Sequence, residues 1–437
     1  MSSEWRNSRL SDLGTFERGK SKHRPRDAAH LYGGPYPFIQ TGDVAAAEGR
    51  ITRFRQTYSE AGLAQSKLWP VGTLCITIAA NIAETALLTF PACFPDSVVG
   101  YRTDSSKADV RFVEYLFRAF RDKVKSRAYG SVQENINLEV LRSLTFPVPP
   151  LPEQVKIAEF LARLDDRISL LRETNSTMEA VAQALFKSWF VDFEPVRARQ
   201  EGRAPAGMDE DISALFPDGF DESELGLVPR GWTLATLGQL GEFQKGCSYK
   251  GEGLSDNNGA YMFNLGCFNA PRIFAFEKIK RYTADYKPRH SVAVGDLIIA
   301  NTDMTQDRDI LGRPLIIPGG FAPGFISHHV FKVVLNAPSL RNYLFFCFKT
   351  SVFRERAVGY ATGTTVLALP KDAIEKHPLV VPDPKLIDVF NEVVGPILEL
   401  IENNQRMVET LGSLRDALLP RLISGQLRLS EAETLVA

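Results

Sequence analysis

Cysteine is scarce in this chain. The five thiols, Cys75, Cys93, Cys247, Cys267 and Cys347, include no C-x-x-C pair, which excludes a zinc ribbon and a disulfide scaffold. They read as reduced thiols of a cytoplasmic protein. No run approaches the roughly 18 uninterrupted apolar residues of a membrane span, so none is expected. The opening Met1-Ser2-Ser3-Glu4-Trp5 has no basic stretch leading into an apolar one, so no secretory signal is expected either. A charge excess is also missing: 51 Lys+Arg stand against 52 Asp+Glu, for a net −1. Catalytic signatures are absent too. There is no H-E-x-x-H, no G-x-S-x-G, no N-P-P-[YF] or D-P-P-[YF] of an adenine methyltransferase, and no P-D with a nearby [DE]-x-K of a nuclease. The chain reads as a binding protein without a metal site.

What is present is ordinary globular composition, 44% hydrophobic and 24% charged over 437 residues, enough for two or three domains. The near-zero charge hides a pattern. Residues 1–150 hold 20 Lys+Arg against 15 Asp+Glu, and residues 231–384 hold 17 against 13. These blocks carry +5 and +4, and the remainder of the chain −10. A polyanion would sit on the basic blocks.

The chain is an internal duplication. Trp5 to Ser21 matches Trp232 to Ser248 at an offset of 227, and Val113 to Phe120 matches Arg341 to Phe348 at 228. Gly130-Ser131 matches Gly363-Thr364 and Val148-Pro149 matches Val381-Pro382, both at 233, and Ile157 onward matches Leu386 onward at 229. Each copy begins with short apolar runs broken by Gly, Pro and Asn, such as Tyr36-Pro37-Phe38-Ile39-Gln40, Thr73 to Ile78 and Asp296 to Ala300. They read as strands of a mixed or antiparallel sheet. One amphipathic helix is expected in each copy, near 110–128 and 339–357.

Each copy ends on a heptad seam. Ile157, Leu161, Leu164, Ile168, Leu171, Asn175, Met178, Ala182, Leu185 and Trp189 step by fours and threes, as do Leu386, Phe390, Val393, Ile397, Leu400, Asn404, Met407, Leu411, Leu414 and Leu418. Each seam spells a helix of roughly 50 Å. Two matched seams in one chain are expected to pair as an antiparallel coiled coil over 155–190 and 386–421. Asn175 would then face Asn404 at mid-length and fix the register. The expected fold is α+β. Two mostly-β domains, 1–150 and 231–384, are related by a pseudo-twofold and separated by long helices at 151–190 and 385–425. An acidic connector at 191–230 and a tail at 426–437 complete the chain.

Gly14 to Ser21 formally satisfies G-x-x-x-x-G-K-S, but that chemistry needs a helix opening at the Lys. Pro25 follows within a few residues, and the second copy has Cys247 where Lys20 stands. A β-turn is the better reading. His328 and His329 are adjacent in a strand-like run, so their rings are expected on opposite faces.

The duplicated domain–helix arrangement resembles the specificity subunit of type I restriction–modification systems. The motifs that carry the resemblance are Pro149-Pro150-Leu151-Pro152-Glu153-Gln154 before Ile157 to Leu161, Ala184 to Phe193 (A-L-F-K-S-W-F-V-D-F), Gly231-Trp232, and Leu414 to Gly425 (L-R-D-A-L-L-P-R-L-I-S-G). Gly130 to Asn137 resembles the family's Gly-Ser/Thr-x-Gln-x-Asn-Ile segment. The second copy departs from the family at Pro382-Asp383-Pro384-Lys385, and its Gly-Thr loop has no Gln or Asn. The resemblance implies two target-recognition domains, each reading half of a bipartite duplex DNA target. It also implies helices that set the spacing and dock two modification subunits. Those partners would carry S-adenosylmethionine and methylate adenine at N6, and a restriction subunit using ATP and Mg would join them, in a phage-defence role. This chain would hold no cofactor and do no chemistry. A DNA-recognition subunit of another phage-defence or modification system, or a protein scaffold without a DNA role, also fits the bare residues.

Candidate DNA contacts in the first copy are Lys20, Lys22, His23, Arg24 and Arg26 in one loop, with Asn81, Gln133 and Asn135 as amides suited to adenine edges. Repeat alignment gives Lys245, Tyr249, Lys250, Asn301, Thr302, Asp303, Thr364 and Thr365 in the second. Cations should mostly grip phosphate and amides should mostly read bases. Lys20→Ala is expected to leave ATP turnover of an assembled complex unchanged. A loss of hydrolysis that DNA affinity does not explain would restore the phosphate-loop reading.

Overall fold

Two short ladders give the clearest measure of the duplication. In the computed structural model, Arg6–Arg9 pairs antiparallel with Thr145–Val148, Arg6 opposite Val148. Thr233–Thr236 pairs with Pro378–Val381, Thr233 opposite Val381. The offsets 227 and 233 carry one register onto the other without a slip. The residues described are 5–23, 25–79, 81–128, 136–268, 278–304, 308–363 and 366–436.

The central sheets repeat the same way. In the first copy the strand order is Gly14–Arg18, Val98–Thr103, Leu74–Thr77, Thr85–Leu88 and Gly49–Ile51, antiparallel but for the last pair. The second copy has Gly241–Lys245, Val330–Leu335, Leu297–Ala300 and Pro314–Ile316, all antiparallel. It adds a second sheet of five short strands, built on Ala260–Phe263 and Gly324–Ile326. Each single amphipathic helix expected from sequence is two. Val110–Ala119 is capped by Asp109, whose carboxylate accepts from the amides of Arg111 and Phe112. That helix stops at Phe120, and Arg121–Ala128 follows. Leu340–Lys349 stops at Thr350, which is extended (ψ 149°) and caps Ser351–Tyr360. Apolar periodicity runs through both breaks and so conceals them. The stretch 191–230 is folded, with helices Glu194–Gln200 and Glu210–Ala214 and a hairpin of Phe220–Ser223 with Gly226–Pro229.

The long helices are Leu151–Phe190 and Pro384–Ile423. No described helix is long and apolar enough to cross a membrane. The chain forms two compact units, and neither is a continuous half. One joins the chain up to Leu170 to the stretch from Met407 on, and the other is Leu171–Arg406. Each unit therefore owns half of each long helix. In the first, Ile157, Leu161 and Leu164 share a core with Leu418, Leu419, Leu422 and Ile423. In the second, Phe186, Trp189 and Phe190 share a core with Leu386, Phe390 and Val394. Fully burying each such side chain is worth about 1.5–3 kcal/mol. The pairing is antiparallel. In the second unit Asn175 meets Asn404 and Phe186 meets Phe390, so one number falls as the other rises, and in the first unit Asp165 meets Arg415. Asn404 Nδ2 donates to Asn175 Oδ1 at 2.9 Å, and Asn175 Nδ2 donates to the Ile401 carbonyl at 3.1 Å. The expected asparagine pair is present and its hydrogen bonds are made.

Where the domain meets the helix pair, the two units use opposite chemistry. In the first, Arg118 bridges Glu114 (3.1 Å) and Asp165 (3.2 Å), Tyr115 donates to Asp165 at 2.8 Å, and Arg415 donates to the other Asp165 oxygen at 2.7 Å. The Arg118, Asp165 and Arg415 side chains keep only 14–17% exposure. Burial pushes the Glu114 carboxyl up, and Arg118 pulls it back. The repeat offsets place Asn342, Phe346, Val394 and Phe186 at the positions of Glu114, Arg118, Asp165 and Arg415. There the contact is aromatic, with the Phe186 and Phe346 rings stacked at 5.8 Å.

Asp165→Ala leaves two buried guanidinium groups short of a partner and is expected to destabilise the first unit by about 3–5 kcal/mol in urea unfolding. Copying the second unit with E114N, R118F, D165V and R415F together is expected to recover most of that loss. A cost below about 1 kcal/mol for D165A would show that the network is not a structural joint.

Candidate nucleic-acid interface

In each unit two loops are zipped at the end of the central sheet. The Gly19 amide donates to the Val98 carbonyl (2.9 Å) and the Lys20 amide to that of Phe94 (3.0 Å). In the second unit Gly246 donates to Val330 (3.0 Å) and Cys247 to Ile326 (3.1 Å). A Cβ on Gly19 would stand 2.3 Å from the carbonyl oxygens of Phe94 and Pro95, and one on Gly246 2.2 Å from that of Ser327. Close approach of two backbones therefore explains the second glycine of the G-x-x-x-x-G pattern in both copies. No helix opens at Lys20. The strand ends at Arg18, and the next described helical turn is Ala29–Leu31.

On the first platform Lys20 and Lys22 are exposed. The Lys20 ammonium lies 3.6 Å from Glu17, which Lys67 also approaches at 2.5 Å. That hydrogen bond from Lys67 holds the Glu17 carboxyl below its usual range. The His23 amide donates to Gln65 (2.9 Å), and its ring meets His30 edge-on at 5.0 Å. Arg26 clamps Asp96 through both carboxylate oxygens, at 2.9 and 3.1 Å. Asn81 is exposed in a left-handed turn (φ 43°), between strands Leu74–Thr77 and Thr85–Leu88. Arg24, Gln133, Asn135, Thr364 and Thr365 lie outside the described residues.

On the second platform Lys245 and Lys250 are exposed, and the Lys250 ammonium lies 3.7 Å from Glu252. Tyr249 is half-buried, with ring centroids of Tyr282 and His328 at 6.3 and 6.1 Å. Asn301, Thr302 and Asp303 are corrections. They keep only 2%, 7% and 0% exposure, so they pin loops from beneath and present nothing at the surface. Asn301 Nδ2 donates to the His328 carbonyl (3.2 Å), Thr302 Oγ1 bonds His329 Nδ1 (2.8 Å), and Asp303 accepts from the Ile310 amide (2.9 Å). The alignment with Asn81 is also corrected. Thr77 pairs with Val98 and Ala300 with Val330, so Asn301 occupies the position of Ile78. The histidine expectation fails as well. His328 and His329 precede the strand that starts at Val330, so strand alternation does not apply, and their ring centroids are 3.8 Å apart.

Sequence reasoning missed a groove of about 400 Å³ on the first unit, which Arg26 lines together with Tyr32, Gln40, Thr41, Gln56 and Ser97. Gln40 donates to Gln56 at 2.5 Å. The pair meets because Phe38 is registered opposite Gln56, a non-local pairing with no motif to announce it. Other motif residues turn out to be structural. Gln154, 1% exposed, accepts from the Asp109 amide and donates to the carbonyls of Lys107 and Pro149, fastening the long helix to the helix at Val110. Among the described residues no group of three or more His, Cys, Asp or Glu is placed to hold a metal.

Residues 2–180 match the model of the type I restriction modification DNA specificity domain. The MjaIX type I restriction enzyme specificity subunit of Methanocaldococcus jannaschii is 25% identical, over 98% of this chain and 94% of its own length. The HindI specificity subunit of Haemophilus influenzae is also 25% identical, over 73% of this chain and 78% of its own. The crystal structure of a type I restriction–modification S subunit from M. genitalium covers 97% of this chain and 96% of its own, with a TM-score of 0.61 at 14% identity, a likeness of fold.

Gly19→Val forces the two loops apart and is expected to destabilise the first unit by about 1–3 kcal/mol. Gly412→Ala, where a Cβ would meet nothing, is expected to be neutral or to stabilise by up to about 1 kcal/mol. Equal thermal shifts for the two variants would refute the steric account of Gly19.

Proposed function

We propose, from its similarity to type I restriction–modification specificity subunits, that this chain selects the DNA sequence on which a modification complex acts. Each globular domain binds one half of a bipartite duplex target. The long helices set the spacing between the halves and dock two adenine-N6 methyltransferase subunits. S-adenosylmethionine belongs to those partners, ATP and Mg belong to a restriction subunit, and the complex works in the cytoplasm. The chain itself carries no methyltransferase, nuclease or ATPase activity.

The observation that carries this reading is the paired loop platform. The same backbone bonds, Gly19 to Val98 and Gly246 to Val330, hold equivalent loops at the same end of equivalent sheets. The side chains on them differ: Lys20, Lys22, His23 and Arg26 on one, Lys245, Tyr249, Lys250 and His328 on the other. One scaffold with two unlike surfaces is what a reader of two unlike half-sites requires. Joining two weak half-site contacts in one chain raises affinity through effective concentration and makes it depend on half-site spacing.

Methylome sequencing of the host with and without the gene tests this. Adenine methylation at one bipartite motif is expected to vanish without it. Gln133→Ala or Asn135→Ala is expected to relax the first half-site alone. An unchanged methylome in the deletion strain would overturn the reading, and a change confined to the second half-site would overturn the assignment of Gln133 and Asn135.

A further inference from the structure

Three histidines of the second unit gather around Lys245. His290 Nδ1 lies 3.0 Å from the Lys245 carbonyl. The half-buried His328 and His329 rings stand 3.8 Å apart on the facing loop, whose amide at His328 bonds the Cys247 carbonyl at 2.8 Å. Tyr249 covers His328 from the entering loop, and Thr302 Oγ1 holds His329 Nδ1 from the far side. The charges that act on these rings are cations: Lys245 on His328 and His329, Arg289 and Lys287 on His290. The carboxylate of Asp303, next to Thr302, accepts from the Ile310 amide.

Two further observations point to a missing ligand. Buried polar atoms with no hydrogen-bond partner collect here: Asn301 Oδ1 and Ser327 Oγ. Asn301 and Ser327 are 2% and 0% exposed. The equivalent place in the first unit also differs in charge. The Val98 and Val330 ladders put Asp96 and Ser97 where His328 and His329 stand, and Arg26 already clamps Asp96. The first platform answers its own cation, whereas among the described residues no carboxylate forms an ion pair with Lys245 or the two rings.

We propose that the loops at 245–250 and 326–330 form a DNA phosphate site in which Lys245 supplies the standing charge and the His328–His329 pair takes up a proton from solvent as the phosphodiester arrives. This rests on the reading of the chain as a DNA-specificity subunit. The direction of the effect follows from the surroundings. Burial first and Lys245 after it hold His328 below its ordinary 6.5 in the free chain, and burial, the His328 ring and Lys245 do the same to His329. A phosphate in contact reverses the local field and raises them. DNA binding is then linked to proton uptake, and affinity rises as pH falls across the interval between the raised, DNA-bound titration and the free one below 6.5.

The test is fluorescence anisotropy of the full chain with a mixed-sequence 30-base-pair duplex at fixed low salt. It is paired with calorimetry in two buffers of different ionisation heat, which counts protons. Affinity is expected to rise several-fold across that interval, approaching about tenfold per pH unit if one full proton is bound. Lys245→Met should weaken binding at every pH. H328Q/H329Q should flatten the pH dependence and abolish the proton uptake. A double variant that keeps the parent's pH slope overturns the proposal. A parent chain that binds no duplex at any pH overturns the DNA reading itself, which is a different result from binding without proton uptake. If circular dichroism shows the double variant misfolded, histidine-selective NMR of the parent decides: two of its six histidines must titrate higher with duplex than without.

Discussion

The rest of the structure depends on the loan of helix ends between the two copies. The core of the first domain needs Leu418, Leu419, Leu422 and Ile423 from the last stretch of the chain. The core of the second needs Phe186, Trp189 and Phe190 from the end of the first long helix. Neither domain buries its apolar face with its own copy's residues alone. The coiled-coil seam and the domain cores are therefore continuous within each unit, so the helices are part of what folds the domains.

The chemistry of that joint differs between copies. The Arg118–Asp165–Arg415 network demands particular geometry, because a buried charge is stable only with its partners in place. The Phe186–Phe346–Val394 contact is non-directional and tolerates small shifts. A duplicated joint has thus diverged into a polar form that specifies orientation and an apolar form that supplies cohesion. The asparagine pair of the second unit makes two hydrogen bonds, which penalise any slip of one helix against the other.

Legibility in the sequence followed how local the cause was. The duplication, the offsets 227 and 233, the two long helices and the Asn175–Asn404 pair were readable, because periodicity and self-similarity lie in the chain itself, but Val393, Leu400 and Met407 of the expected second seam are exposed. The breaks at Phe120 and Thr350 were hidden because the apolar pattern passes through them. Asn301 was misplaced because a loop-length difference shifts the repeat by several residues after the strand. The Gln40–Gln56 groove and the touching histidine rings depend on a pairing between segments distant in sequence and on a strand that begins only after both histidines, at Val330. At the candidate interface the basic loop and the lysines were legible by type. Burial was not, and it removed Thr302 and Asp303 from the surface.

The position of Gly425 beside Trp5 carries a consequence for how the molecule is made. A Cβ at Gly425 would stand 3.1 Å from the Trp5 indole, so residues 420 positions apart in the sequence touch. On the ribosome, the stretch 171–406 is complete and contiguous before Met407 emerges, and it can close its own core. The first domain, although its strands are synthesised before that stretch, lacks Leu418 to Ile423 until after it. The order of folding of the two units therefore runs against the order of synthesis, and the first domain keeps an uncovered apolar face while residues 171–417 are made.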